Sequence, residues 1–515
     1  MATQTKKKKV IGKNIIICSD GTGNSAAKSN KTNVFKIFES VNVGGFYDKE
    51  AKGLRKQVAF YDDGVGNDDW KPLKILGGMF GYGVSKNICQ LYEAIARVYK
   101  PGDKLFFFGF SRGAYTVRAL AGLIATCGIV DIRKSNLNLG EATKDAYKVY
   151  RRKYHTLIGS LGHMIMRTPK LENFREKFAV HRTKDDDGIP AIEFIGVWDS
   201  TSAVGIPVEI IKHAINKYVY KFEFTNNILG QNVKKAYHAI SIDDERKTLR
   251  PNIWKEQNNR NKDQVIEQVW FSGVHSNVGG GYPKSGMSHV SLDWMMNRAE
   301  AAGVQFSKSA REDIKALRNI NDKCYNPRSG LNVYYRYLPR DIARLSEKAG
   351  TDTPKVHYTT FEKIVQCPEG YGPTNLPTKL EVVKDKETIN VGNIQNQWIA
   401  ISSPLGGVTS LLDKVKTWIT FRRIAHFLLM TVTFSLGFFY VVTEGVVSLF
   451  SMDISIELVT NLWKALIDIP WLIGYLVIII ALVLGFGLFG RAKMGKIINR
   501  FWKKNRDSLQ EGFDL

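Results

Sequence analysis

The stretch Leu105-Phe106-Phe107-Phe108-Gly109-Phe110-Ser111-Arg112-Gly113-Ala114-Tyr115-Thr116-Val117-Arg118 decides the reading of this chain. Four apolar residues run into Gly-x-Ser-x-Gly, and the chain then turns amphipathic through Ala119, Leu120, Leu123 and Ile124. That pattern predicts a buried strand, a sharp turn and a helix. Gly109 and Gly113 leave room for the turn, and Ser111 sits on its tip as a candidate nucleophile. There the backbone N–H of Arg112 can face a developing oxyanion. Read as plain structure, the same motif is only a tight turn.

Working outward, Val10 to Cys18 predicts a buried first strand ending in the polar loop Ser19-Asp20-Gly21-Thr22-Gly23-Asn24. Ligands bind at that edge of open α/β sheets, so Gly21 or Thr22 is expected to give a second oxyanion N–H. The loop lacks the G-x-x-x-x-G-K-[ST] pattern of a phosphate loop. Gln57 to Tyr61 predicts another strand, and Asp62 and Asp63 after it read as capping or solvated acids. Ser85 to Tyr99 predicts a helix, ended by Pro101-Gly102-Asp103.

Ala191 to Trp198 predicts a strand that delivers Asp199 to its carboxyl end, where a triad acid belongs. Val265 to Phe271 predicts a strand running into Ser272-Gly273-Val274-His275, a glycine-rich loop able to carry a base over the nucleophile. His289 is a weaker rival on the segment that follows. The order Ser111, Asp199, His275 is that of α/β-hydrolases, unlike the orders of chymotrypsin or subtilisin. A helical insertion near 131–190 and a second insertion near 208–230, strand-like with one aromatic face, are expected to form lid-like pieces among the helical insertions of the domain. Residues 301–410, cut up by prolines, are expected to be an accessory region packed on the hydrolase.

A formal net charge of +24 calls for an anionic partner, and 44% hydrophobic residues call for a sizeable core. Five widely spaced cysteines without a C-x-x-C pair read as reduced thiols, not a disulfide frame or zinc site. No metal or cofactor is expected. Lys6 to Lys9 belong to a basic tail at 1–9, and no signal peptide is expected before the first strand.

Ile424 to Thr443 and Ile469 to Gly490 are uncharged and long enough to cross a ~30 Å hydrocarbon core. Lys414, Lys416, Arg422 and Arg423 precede the first span, and a run from Arg491 to Arg506 rich in Lys and Arg follows the second. The loop between them is acidic at Glu444, Asp453, Glu457 and Asp468. The positive-inside rule then puts both termini and the catalytic domain on the cytoplasmic side of a two-pass membrane protein. Basic flanks also attract anionic headgroups, at ~1 kcal/mol per residue near the surface, so the charge needs no nucleic acid.

Cys18-Ser19-Asp20-Gly21-Thr22-Gly23-Asn24, Tyr61 to Asn67, Gly109 to Gly113, Gly196 to Asp199, Ala236 to Ala239, Ile242 to Arg246 and Trp270 to Tyr282 together resemble the DUF2235 family. That α/β-hydrolase family includes the Tle1-type phospholipase effectors of type VI secretion, and the resemblance covers roughly residues 10–300. It implies Ser111 as nucleophile, Asp199 as acid, His275 as base and phospholipid esters as substrate. The short amino terminus and the apolar carboxyl-terminal region depart from the antibacterial effectors, which leaves a toxin role open.

The expectation is therefore an α/β-hydrolase domain over 10–300 and a membrane domain over 411–515, acting as a phospholipase A-type serine esterase. Its rivals are a hydrolase of another ester or thioester, and a catalytically silent membrane-perturbing scaffold. Self-association into a homo-oligomer is left open.

Overall fold

Alternate residues of one strand feed two different cores. Ile15 and Ile17 pack into one cluster with Leu105, Phe107 and Ile195. Ile16 and Cys18 face the other way, into a cluster with Phe106, Phe108, Phe194 and Trp198. Side chains alternate across a strand, so unbroken apolar runs demand cover on both faces.

The structure is a computed structural model that describes residues 11–21, 24, 26–64, 79–133, 138–151, 171, 174, 178, 189–201, 227–256, 263–366, 370–377, 379–384, 387–389, 411–444 and 470–513. In chain order the elements are β1 (Asn14–Ser19), α1 (Asn33–Ser40), β2 (Phe46–Asp48), β3 (Gly53–Arg55), β4 (Gln57–Asp62), α2 (Met79–Val98), β5 (Lys104–Phe110), α3 (Arg112–Cys127) and α4 (Leu139–Arg151). Then come β6 (Ile192–Trp198), β7 (Val233–Ser241), β8 (Val265–Phe271), α5 (His275–Gly279), α6 (Gly286–Ala301), α7 (Lys308–Ala316), α8 (Ile342–Ala349), β9 (Lys355–His357), α9 (Thr359–Gln366), β10 (Glu381–Lys384) and β11 (Glu387–Ile389). Two long helices follow, α10 (Leu411–Glu444) and α11 (Pro470–Phe513).

Nine strands form the central sheet in the order β11-β10-β9-β8-β7-β6-β5-β1-β4. All neighbours are parallel except the edge pair β10 and β11. Parallel strands point their carboxyl ends the same way, so Ser111, Asp199 and the loop before His275 emerge on one side of the sheet. Helices α2, α3 and α4 carry the first core, while α1 and α6 close the second. This is an α/β fold with a parallel central sheet.

Several expectations need adjusting. Within 131–190 the helix α4 is packed structure: Ala142, Ala146, Val149 and Tyr150 are buried in the first core. Of the stretch 208–230, residues 208–226 lie outside the described residues, as does most of 152–188. Residues 301–410 do more than lean on the domain, because β9, β10 and β11 extend its sheet.

Helices α10 and α11 run for 34 and 44 residues, about 50 and 66 Å at 1.5 Å per residue. Both are long and apolar enough to cross a membrane, over Leu411–Leu436 and Val477–Asp507. Phe427, Phe434, Ile478, Leu484 and Leu488 are exposed along them. The basic stretch after Gly490 continues α11 as helix. Its Trp502 and Leu509 are buried with Ile240, Trp270 and Val356 of the sheet, so the far end of α11 is docked on the α/β body.

Candidate active site

Steric closure explains the Gly-x-Ser-x-Gly turn. A Cβ on Gly109 would stand 2.6 Å from Ala114 Cα, and one on Gly113 would stand 2.0 Å from the Ser19 carbonyl oxygen. Only glycine lets β5, the turn and α3 pack this closely against β1. Ser111 itself has φ 57° and ψ −119°, a conformation that costs a non-glycine residue about 1–3 kcal/mol. Its N–H donates to the Trp198 carbonyl at 3.0 Å, which ties the turn to the end of β6. Its Oγ lies 3.4 Å from Thr201 Oγ1. Arg112 opens α3, so its N–H is among the four that a helix leaves without an intrahelical acceptor.

Asp199 follows β6, is fully buried and also has positive φ, 39°. Its Oδ2 meets His275 Nδ1 at 2.5 Å, and its Oδ1 accepts from Ser241 N at 3.0 Å. Burial alone would raise this carboxyl's pKa. The Arg340 guanidinium and His275 outweigh burial and hold Asp199 far below the usual carboxylate range.

His275 starts α5, and its N–H donates to Asp244 Oδ2 at 3.2 Å. Asp244 is held in turn by Arg246, which reaches both carboxylate oxygens at 3.1 and 2.7 Å. The His275 ring lies against Phe110, with centroids 4.6 Å apart, and Phe110 immediately precedes Ser111. A Cβ on Gly279 would be driven to 2.0 Å from the Phe110 ring, so that glycine admits the ring beneath the histidine. With Nδ1 turned to Asp199, Nε2 is the ring nitrogen that remains as the candidate base.

The structure thus brings Ser111, Asp199 and His275 to one sheet edge. The expected oxyanion donors fare differently. Gly21 N donates to Asp20 Oδ1 at 2.6 Å, so any oxyanion competes with that carboxylate for it. Thr22 lies outside the described residues. Asp20 also accepts from Thr32 Oγ1 at 2.5 Å and Tyr61 OH at 2.7 Å, and burial raises its pKa. Thr32 in turn caps α1 through Phe35 N, so the loop, β4 and α1 share one buried acid.

The weaker candidates have structural employment. His289 Nε2 is 3.0 Å from Lys36 Nζ at the α1–α6 contact, and burial with that cation pushes its pKa down to about 4. Asp62 accepts from Ser19 Oγ and Asn87 Nδ2, and Asp63 accepts from Ala26 N.

Sequence reasoning missed Arg340. Its Nη1 donates to Asp199 Oδ1 at 2.6 Å and its Nη2 to Asp199 Oδ2 at 2.8 Å, a bidentate pair with no exposure to water. It also missed β7, whose His238 accepts the Ser200 N–H through Nε2 at 3.0 Å.

Fold and site together define an α/β protein that gathers a serine on a strained turn and a buried Asp–His pair at the carboxyl edge of a parallel sheet. Residues 13–298 match the family described as the catalytic domain of Tle1-like phospholipase effectors of type VI secretion. The chain belongs to that family. An uncharacterized protein of Saccharomyces cerevisiae, YEL023C, is 26% identical over 249 residues, which are 46% of this chain and 32% of that protein. This chain therefore spans about a third of the length of that relative. The crystal structure of an uncharacterized protein from Pseudomonas aeruginosa covers 60% of this chain and 49% of its own, at 17% identity and a TM-score of 0.33.

Proposed function

We propose that this protein is a membrane-anchored serine hydrolase that cleaves acyl esters of membrane phospholipids, in the manner of a phospholipase A. The observation that carries this reading is the 2.5 Å contact between Asp199 and His275, set against the Phe110–Ser111 turn. The strand order β4-β1-β5-β6-β7-β8, with Ser111 after β5, Asp199 after β6 and His275 after β8, supports an α/β-hydrolase fold. Family membership supports lipid as the substrate class.

In this reading His275 Nε2 takes the Ser111 proton as Oγ attacks the ester carbonyl, after Oγ turns from Thr201. The oxyanion rests on the Arg112 N–H at the start of α3 and on a second N–H from the Gly21–Thr22 loop. Collapse expels the lysolipid alcohol, which takes its proton from His275. Water, deprotonated by the same histidine, then releases the fatty acid and restores Ser111.

Helices α10 and α11 hold the domain at the bilayer, with both termini cytoplasmic by the charge rule and basic flanks toward anionic headgroups. Anchoring keeps the cleft where the lipid is.

The test is acyl release from mixed phospholipid vesicles by full-length protein, with Ser111→Ala beside it, read by mass spectrometry. Fatty acid from the wild type and none from the variant is the expected result. Equal release by both would remove Ser111 from the chemistry. Cleavage of soluble esters in preference to vesicles would overturn the lipid substrate.

A further inference from the structure

A buried carboxylate that serves a histidine has two ways to fail. It can take up a proton itself, because burial penalises its charge, or it can hold the imidazolium so tightly that the base stays protonated. A cation beside it opposes both. Arg340 supplies one, and its guanidinium is charged at every relevant pH. Its aim is fixed independently of Asp199: Nη1 also donates to the Ser241 carbonyl at 2.5 Å and Nη2 to the Leu249 carbonyl at 2.9 Å. Asn375 pins the backbone by donating to the Arg340 carbonyl at 2.9 Å, and donates at 2.9 Å to the Ile242 carbonyl as well. Nη2 and His275 Nδ1 therefore share one oxygen, Oδ2, from two rigid directions.

Arg340 lies beyond the matched residues 13–298. Its segment is instead bound up with the carboxyl-terminal helices. Tyr337, three residues earlier, is buried under the Arg422 guanidinium of α10 at 3.6 Å from the ring centroid, and its hydroxyl contacts Met494 of α11.

We propose that Arg340 is a positioning residue for the Asp199–His275 pair. It keeps Asp199 ionised and aimed at Nδ1, and its buried charge opposes proton uptake by the coupled pair. The inference rests on the serine-hydrolase reading. Its sign is fixed: removing a buried cation makes either member of a coupled pair bind a proton more readily. The acid limb of the activity profile must then move to higher pH.

The experiment follows the rate at which a fluorophosphonate labels Ser111 in full-length protein across the acid limb, for the wild type, Arg340→Gln and Arg340→Lys. This readout needs the triad but no particular ester. Arg340→Gln is expected to move the limb up by about 1–3 pH units, the usual effect of an opposite charge at this distance. Arg340→Lys keeps the charge but grips one oxygen, so its limb lies between the two, and it serves where the glutamine variant fails to fold. A folded glutamine variant that labels more slowly with an unmoved limb overturns the proposal, since a merely structural role lowers the rate without changing the pH dependence. A lysine variant with the wild-type limb and rate overturns it as well. Folded wild type that takes no label at Ser111 defeats the serine-hydrolase reading and this inference together.

Discussion

The Phe110 ring lies 4.6 Å from the His275 ring at an interplanar angle of 34°, so the residue before the candidate nucleophile supports the candidate base. One turn thereby fixes the position of both groups. Phe110→Leu keeps an apolar side chain but removes the ring face. An aromatic contact of this kind contributes about 0.5–1.5 kcal/mol, which corresponds to a fall of about 2- to 10-fold in kcat. KM should change little, because substrate binding is retained, while thermal stability should fall modestly, because the buried ring leaves a gap against Gly279. Steady-state kinetics on vesicles check this, and an unaltered kcat would detach Phe110 from the mechanism.

The two glycines that flank Ser111 are held by backbone contacts that cannot move aside. Gly113→Ala places a methyl 2.0 Å from the Ser19 carbonyl oxygen, on the strand that neighbours β5. Either β1 and α3 separate or the turn opens, at a cost of about 1–3 kcal/mol or more. Gly102→Ala is the control: that residue, unlike Gly113, has positive φ, 93°, but a methyl there meets nothing within 4 Å. Its cost should be near 1 kcal/mol, from conformation alone. Thermal unfolding of the two variants should differ clearly, with activity lost only in Gly113→Ala.

Much of this arrangement can be read from the chain, because the signals are local. The apolar runs at Ile15–Cys18, Leu105–Phe108, Ile192–Trp198 and Val265–Phe271 become β1, β5, β6 and β8, and Ser111, Asp199 and His275 sit where those strands end. What escapes reading is non-local. Arg340 meets Asp199 across 141 residues, and Tyr337-Leu338-Pro339-Arg340 bears no periodicity to mark it. Gly21 N is occupied by the carboxylate of its own neighbour, a matter of side-chain rotation that spacing does not encode. After Gly490 the lysines and arginines read as a basic flank for anionic headgroups, yet Met494, Trp502, Asn505 and Leu509 recur at helical spacing and are buried. Charge on one face hid an apolar stripe on the other.

Arg422 of α10 reaches both oxygens of Glu245 at 3.4 and 3.3 Å, next to the Asp244 that receives the His275 N–H. Helix α10 is thus tied to the loop after β7, whose Asp244 accepts the His275 N–H. Arg422→Glu sets two carboxylates against each other beside Asp244, and should lower activity together with thermal stability. The double reversal, Glu245→Arg with Arg422→Glu, should recover part of both, with a coupling of about 1 kcal/mol for a pair that remains partly wetted. A double variant no better than the sum of its single changes would show that the pair transmits nothing.

Acid should unfold this protein through its histidines before Asp199. Burial pushes His238 down to about 3, helped by the Arg118 charge, and pushes His357 to about 3 and His289 to about 4. In the unfolded chain each titrates near about 6.5, so below that pH the unfolded state binds protons that the folded state refuses. Stability therefore falls as pH drops from about 6.5 toward these lower values. Asp62 and Asp243 act in the opposite sense. Burial raises both to about 6, so the folded state gains protons first and is favoured between about 6 and 4. Asp199 contributes stability above about 4 that is lost only as pH falls further, toward its much lower folded value. Burial raises Asp20 as well, so three aspartates oppose three histidines. The histidines move further, from about 6.5 to about 3 or 4, than Asp62 and Asp243 do from about 4 to about 6, so the net slope is loss on acidification. His238 is the most telling of them, since its Nε2 must stay unprotonated to accept the Ser200 N–H beside Asp199. His238→Gln offers a carbonyl oxygen in place of that nitrogen and removes one titration. Denaturation midpoints of full-length protein in detergent, taken from neutral pH into acid, should fall less steeply for the variant, and parallel curves would rule His238 out as the group that acid attacks.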